Sequence, residues 1–313
     1  MNIKISRLKN RSITIFRHIV QIIAFLLINY IILEVIFSIN LLRLEEILKF
    51  LPVLNSPRNP ISTGAGILEY IFFFLAEGIF PFLLLGILIL IILFTNRFFC
   101  GWICPIGTIQ DACAAVPTKK ITIKIDTHNS LLRIKYLIVI FMLIILLPLG
   151  ISRLTNYSFY LQFKENLGDL SNKPLGYFSL SEYIFVFLPN MIKDIFTYGS
   201  LEPLFATLLS FFIFFFYLTL IILSIWYPRV YCRYFCPFGA VASTISEYSF
   251  LKLSRSPVRC VGRSDCGICE KVCPKQIRIL DEPFEFFTGK GECNLCLKCK
   301  EACPYKAITL KFG

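Results

Sequence analysis

Residues 99–107 read FCGWICPIG, and residues 231–239 read YCRYFCPFG. Each stretch holds a Cys-x3-Cys-Pro-x-Gly unit, and in each an arginine, Arg97 or Arg229, stands three residues ahead of the first cysteine. Each also follows a long apolar run. One chain therefore repeats a cysteine pair at two places where a membrane span is expected to end, and the architecture follows from asking why.

The composition agrees with spans. Of 313 residues 56% are hydrophobic and 17% are charged, against about 25% charged in a soluble globular protein. Four apolar runs approach the roughly 20 residues needed to cross a bilayer, near 18–38, 79–96, 134–152 and 204–227. The first is too long for a signal peptide and no small-residue cleavage site follows it, so it reads as an anchor. The net charge of +12 reads as lysine and arginine held on the inner side of a membrane. Without a basic patch interleaved with aromatics in a soluble fold, nucleic acid is not an expected partner.

Those basic residues set the expected orientation. Residues 1–18 carry Lys4, Arg7, Lys9, Arg11 and Arg17, and residues 97–135 carry Arg97, Lys119, Lys120, Lys124, Arg133 and Lys135, eleven in all. The segments 39–66 and 152–203 are longer together yet carry seven. Both termini are then cytoplasmic, in a multi-pass protein of the inner membrane, and every cysteine lies in the reducing compartment where thiolates survive.

The repeat extends beyond the cysteines. Glu69–Leu75 reads EYIFFFL and Glu182–Leu188 reads EYIFVFL. Each precedes a span that runs inward to a Cys-x3-Cys-Pro unit. Two such units in the same orientation predict parallel repeats about a pseudo-twofold axis along the membrane normal. The expected fold is an α-helical integral membrane protein with four transmembrane helices as two hairpin repeats (1–132 and 133–248). A small α+β domain of the bacterial two-cluster ferredoxin type follows, over 249–313.

That last domain holds eight of the thirteen cysteines. From Cys293 the chain reads CNLCLKCKEACP, a Cys-x2-Cys-x2-Cys-x3-Cys-Pro run that suits a [4Fe–4S] cluster whose fourth cysteine serves the neighbouring cluster. Near neighbours in sequence rarely satisfy disulfide geometry. From Cys260 it reads CVGRSDCGICEKVCP, in which five residues rather than two separate Cys260 from Cys266. By the cross-over rule Cys260, Cys266, Cys269 and Cys303 hold one cluster, and Cys273, Cys293, Cys296 and Cys299 hold the other. The lengthened spacing makes Cys260 the weakest ligand; a three-iron species or an outside ligand is the alternative. Phe250–Arg255 and Ala307–Phe312 alternate like terminal strands, and Gln276–Leu280 with Glu285–Thr288 reads as a central hairpin.

Three readings of Cys100, Cys104, Cys232 and Cys236 stay open. They converge on the pseudo-twofold axis and ligate a third [4Fe–4S] cluster; or each pair is a redox dithiol or transient metal site; or the loops are docking elements without a cofactor. On the first reading Pro105 and Pro237 end the preceding turns, Gly107 and Gly239 allow close approach, and Arg97 and Arg229 offset the negative charge. Duplication favours the shared site, because it explains why two copies are present.

With four spans, two Cys-x3-Cys-Pro motifs and a C-terminal pair of four-cysteine groups, nearly the whole chain resembles the NapH-type membrane polyferredoxins. That family is related to the C-terminal halves of NosR-like and CcoG-like proteins. The resemblance implies a membrane electron carrier that works with quinol or with other redox subunits of a membrane complex. It leaves two alternatives: an assembly or maturation factor that reduces a metal ion for a membrane oxidase, and a docking anchor. No Gly-x-Gly-x-x-Gly, P-loop or flavin signature is present, so no nucleotide is expected. Lone Cys113 reads as a packed small side chain. His18 and His128 are not expected to hold a haem. Glu34, inside the first apolar run, and Glu77, ahead of Pro81, are carboxylates that could take a proton.

Overall fold

The computed structural model describes residues 12–28, 66–198 and 208–313. Within these the chain is mostly helical. The first repeat supplies α1 (Ser12–Ile28), α2 (Gly66–Ala76), α3 (Phe82–Thr95), α4 (Phe98–Trp102) and α5 (Pro105–Ala115). The second supplies α6 (Ile125–Thr155), α7 (Tyr157–Leu167), α8 (Leu188–Tyr198), α9 (Leu208–Leu223), α10 (Val230–Tyr234) and α11 (Pro237–Ser246).

Among the described residues one helix, α6, is long and apolar enough to cross a membrane alone; it contains the expected span 134–152. The expected span 79–96 becomes α3, which starts only after Pro81 and stops at Asn96, a residue at φ 56°. Its 14 residues rise about 21 Å, less than the roughly 30 Å of a bilayer core. The expected span 204–227 contains α9, and 18–38 overlaps α1; residues 204–207 and 29–38 lie outside the described residues, as do Glu34 and most of the segment 39–66. Phe82, Leu83, Ile144, Leu154, Leu208 and Phe212 point outward, exposed, a belt too apolar for a water-facing surface.

The EYIFxFL copies are both helical and both buried in part, though not identically. The first lies in the regular α2. The second opens with Ser179 capping the turn Leu180–Glu182 and then forms a π-helical turn, Tyr183–Phe187.

Pro105 and Pro237 do not end the preceding turns. They stand at the first positions of α5 and α11, where proline's missing N–H goes unneeded and its fixed φ suits the helix. Cys104 and Cys236 thereby become N-cap residues, and Cys236 Sγ accepts the Gly239 amide at 3.3 Å.

The halves interlock. α1 packs on α5 and α6 on α11, each within its own repeat. The other span of each repeat crosses over: α3 packs on α11 and α9 on α5. Phe238 and Ala242 of α11 accordingly share a core with Leu88, Ile92, Met142 and Leu146, while Ile106 of α5 sits with Tyr217, Leu220, Val230 and Tyr231. Neither cysteine-bearing helix keeps its core without the other repeat.

The C-terminal segment is tied by β1 (Leu251–Arg255) and β2 (Ile308–Phe312), antiparallel with Leu251 opposite Phe312 and Arg255 opposite Ile308. These are the two terminal strands read from the sequence. The central hairpin does not form. Gln276 takes a left-handed φ of 55°, Ile279–Asp281 is a 3-10 turn, and Phe287 bridges to Leu253 instead.

At one crossing two backbones touch. A Cβ on Gly150 of α6 would collide with the Leu75 carbonyl of α2. Gly150→Val is expected to cost about 1–3 kcal/mol, read as a lower thermal midpoint in detergent with the iron content unchanged.

Candidate iron–sulfur sites

Cys100, Cys104, Cys232 and Cys236 line one cavity, with Arg97, Arg229, Lys275 and Tyr231 in its wall. The four cysteines expected to converge do so. Burial first, and then the neighbouring Cys232 and Cys100, push the Cys236 thiol up to about 12. Among the described residues no three or more of His, Cys, Asp and Glu close on a single metal ion.

The arginines reach across the repeats. Arg97 Nη2 lies 3.2 Å from where a Cβ on Gly239 would stand, and Arg229 Nη2 3.7 Å from the same point on Gly107. Arg229 also donates to the Cys100 carbonyl at 3.0 Å and clasps Asp111 through Nε at 2.9 Å and Nη2 at 2.6 Å. Gly239 leaves room for the other repeat's Arg97, whereas the tight neighbour of Gly107 is the Cys100 carbonyl of its own loop, at 2.8 Å; sequence reading had placed both arginines only as nearby countercharges.

Each cysteine loop then docks on the C-terminal domain. From the first repeat, Trp102 Nε1 donates to the Leu295 carbonyl at 2.9 Å, and Arg97 Nη1 donates to the Gly291 carbonyl at 3.1 Å and to Glu292 at 3.0 Å. A Cβ on Gly101 would collide with the Asn294 carbonyl and stand 3.7 Å from the Cys296 amide nitrogen. From the second repeat, the Cys232 carbonyl accepts Lys275 Nζ at 2.9 Å, and Arg233 bonds Gln276. So one loop meets the segment of Cys293 and Cys296, and the other meets the segment just after Cys273. Cys273, Cys293, Cys296 and Cys299 lie within one another's electrostatic reach, Cys293 being raised to about 12 by burial and then by Cys296. Cys260, Cys266, Cys269 and Cys303 line a separate small cavity, and Cys299 feels Cys269 across the gap between the two sets. Cys260 thus lies beside Cys266, Cys269 and Cys303 despite its lengthened spacing.

The charges test whether such clusters fit. Among the described residues seven cationic side chains are buried (Arg17, Arg97, Lys135, Arg229, Arg233, Arg255 and Lys275) against three carboxylates (Glu69, Asp111 and Glu292). Asp111 pairs with Arg17 and Arg229. Glu292 pairs with Arg97, Lys135 and Lys275, and these cations outweigh its burial and hold its carboxyl down to about 2. Besides Arg17, which pairs with Asp111, three arginines have a buried Nε with no hydrogen-bond acceptor: Arg97, Arg233 and Arg255. Each stands at a different cysteine set: Arg97 in the first cavity's wall, Arg233 near Cys273, and Arg255 with its Nη1 3.6 Å from Cys260 Sγ. Buried cations without countercharge are costly. Thiolate-bound iron–sulfur clusters are anionic and accept N–H bonds through sulfur, so the residues present fit them at all three places.

Sequence reading missed Asp111, Glu292, Lys135, Lys275 and Gln110. Lys135 carried a usable signal, a cation opening an apolar span; the others are ordinary until their distant partners are known. Cys113 stays apart, half-buried. His18 bonds Gln21 at 2.9 Å and His128 bonds Tyr234 at 2.7 Å, so the histidines are not brought together. Glu77 joins Arg153, Lys164 and Tyr160.

The 4Fe-4S binding domain family matches this chain twice, at residues 77–124 and 209–255. Each match covers one apolar helix and the Cys-x3-Cys-Pro pair after it. The chain is 30% identical over 235 residues to YccM of Escherichia coli, a protein provisionally named for electron transport, covering 74% of this chain and 55% of that one. It is 28% identical over 235 residues to an uncharacterized protein of Methanocaldococcus jannaschii, covering 73% and 78%. To the regulatory protein NosR of Pseudomonas aeruginosa it is 23% identical over 214 residues, covering 67% and 24%. The chain thus spans about half of YccM and about a quarter of NosR. No solved structure matches it. The chain carries a 4Fe-4S binding domain in two copies, and of these relatives YccM is the one named for electron transport.

Glu292 ties three cations across the docking surface. Glu292→Gln is expected to cost about 3–5 kcal/mol, since it leaves buried charge unpaired. The measurement is limited proteolysis between Ser246 and Leu251, which should be faster in the variant than in the parent.

Proposed function

We propose that this chain is a membrane-bound electron-transfer protein with three [4Fe–4S] clusters, of the NapH type. It passes electrons between the membrane side, from the quinol pool or a partner redox subunit, and clusters on the cytoplasmic side. Cys100, Cys104, Cys232 and Cys236 hold the shared cluster. Cys273, Cys293, Cys296 and Cys299 hold the next, and Cys260, Cys266, Cys269 and Cys303 hold the outermost. When bound, such clusters supply one-electron transfer over a wide range of potentials. Residues 1–248 form the membrane domain, with four spans and both termini cytoplasmic, and residues 249–313 form the ferredoxin-like domain.

One observation carries this reading: the two repeats dock separately on the two chain segments that provide the middle cysteine set. The three sets therefore lie in series. Backbone contacts through Gly101 and the Cys232 carbonyl join the first to the second, and the proximity of Cys299 to Cys269 joins the second to the third. The chain's own residues do the rest. Arg97, Arg229, Arg233 and Arg255 offer countercharge at the three places, and α3 and α9 pack against the helices that follow the opposite repeat's cysteines.

The test is iron content. Protein purified without oxygen is expected to hold about 12 iron atoms, and joint replacement of Cys104 and Cys236 by alanine to remove about four. An iron content that does not change in that variant would exclude the shared cluster. Reduction of the remaining clusters by a quinol analogue, lost in the same variant, would place the shared site between membrane and cytoplasm.

A further inference from the structure

The two cysteine loops are near-equivalent in backbone but not in the donors around their sulfurs. The Gly239 amide donates to Cys236 Sγ at 3.3 Å, while Cys104 makes no such cap bond. A side-chain donor is present on one side. Gln110, in α5 and 1% exposed, donates through Nε2 to Cys232 Sγ at 3.3 Å. It stands six residues after Cys104; six residues after Cys236 the second repeat has Ala242, buried in the apolar core. Gln110 Oε1 is meanwhile buried without a hydrogen-bond partner. Leaving an amide oxygen bare is unfavourable. A neutral thiol is a weak acceptor and offsets little of that; a thiolate held by iron is a charged and stronger one. The same position in a helix, filled by an amide in one repeat and a methyl in the other, points to a role for the amide beyond filling space.

We propose that Gln110 is a positioning residue for the Cys232 ligand, whose N–H···S bond raises the reduction potential of the shared cluster and makes its two halves electronically unequal. The physical cause is that reduction adds negative charge to the cluster and its sulfurs, which an N–H donor stabilises in the reduced state more than in the oxidised one. This inference rests on the shared-cluster reading above.

The experiment is a redox titration of the full-length protein in detergent, followed by electron paramagnetic resonance. The signal of the shared cluster is the one that disappears when Cys104 and Cys236 are replaced by alanine. In Gln110→Met, a similar shape without the donor, that signal is expected to titrate at a lower potential. At a fixed poise its reduced-to-oxidised ratio should fall roughly three- to tenfold, the size of one hydrogen bond, with iron content and the other two signals unchanged. Gln110→Ala is the second variant, with the same expected direction. A midpoint that does not move in a variant with full iron overturns the proposal and leaves the shared cluster standing. Loss of iron from both variants assigns Gln110 to packing and also overturns it. A parent protein with no signal dependent on Cys104 and Cys236 overturns the shared cluster itself, and the role of Gln110 with it.

Discussion

Five buried cations share two buried carboxylates at the junction between the repeats and the C-terminal domain. Asp111 takes Arg17 and Arg229; Glu292 takes Arg97, Lys135 and Lys275. Burying a charge is tolerable only when it is paired and hydrogen-bonded, so the surplus constrains everything near it. It demands anionic groups in the cavities beside it. It also fixes which segments meet, since Glu292 comes from the C-terminal domain, Arg97 from the first repeat and Lys135 from the second. The same ion network that calls for the clusters clamps the domains around them.

The interlock of the repeats serves the same end. If each cysteine helix packed only within its own repeat, the cysteine pairs could separate by simple opening of the two halves. Instead α3 supports α11 and α9 supports α5, and each arginine reaches the glycine of the opposite loop. Separating the pairs would expose both cores at once and strip Arg229 of the Cys100 carbonyl and of Asp111, both supplied by the first repeat. Four thiols held by two chain segments are thus kept at one place by apolar burial across the repeat boundary, with charge setting the register.

How much of this was legible depended on the range of the interaction. Cysteine spacing is local chemistry, so the grouping of the C-terminal cysteines and the two terminal strands could be proposed directly, while the Cys-x3-Cys-Pro pairs kept three readings open. The repeat was legible because it recurs as a pattern. Asp111 and Glu292 were not, since their meaning lies in arginines and lysines far away in sequence. The proline after each second cysteine was read as a terminator because proline breaks helices; it opens them instead, since Cys104 and Cys236 precede it as caps. The expected hairpin at 276–288 failed for a similar reason. Phe287 spends its backbone bonds on Leu253, and Gln276 leaves strand geometry, its side chain bonded to Arg233 of the membrane repeat. The helix lengths differ from the hydropathy runs because Pro81 and Asn96 cut α3 at both ends.

A twofold site that carries a single-copy domain cannot stay symmetric, and the sequence differences between the repeats fall where that domain sits. After Cys100 comes glycine, which lets Asn294 and Cys296 approach; after Cys232 comes Arg233, which reaches Gln276. The next position is Trp102 on one side, bonded to the Leu295 carbonyl, and Tyr234 on the other, bonded to His128. Gly101, Trp102 and Arg233 follow from docking one domain on two loops, whereas Tyr234 turns back to its own repeat. Among the residues that line the cavity, the cysteines and arginines are the same in both copies, whereas Ile106 of the first is Phe238 in the second. Gln110 is also unmatched in the second repeat, and its hydrogen bond goes to a cavity cysteine rather than to the docked domain. Docking therefore does not account for it, which is why its effect belongs with the potential of the site it touches.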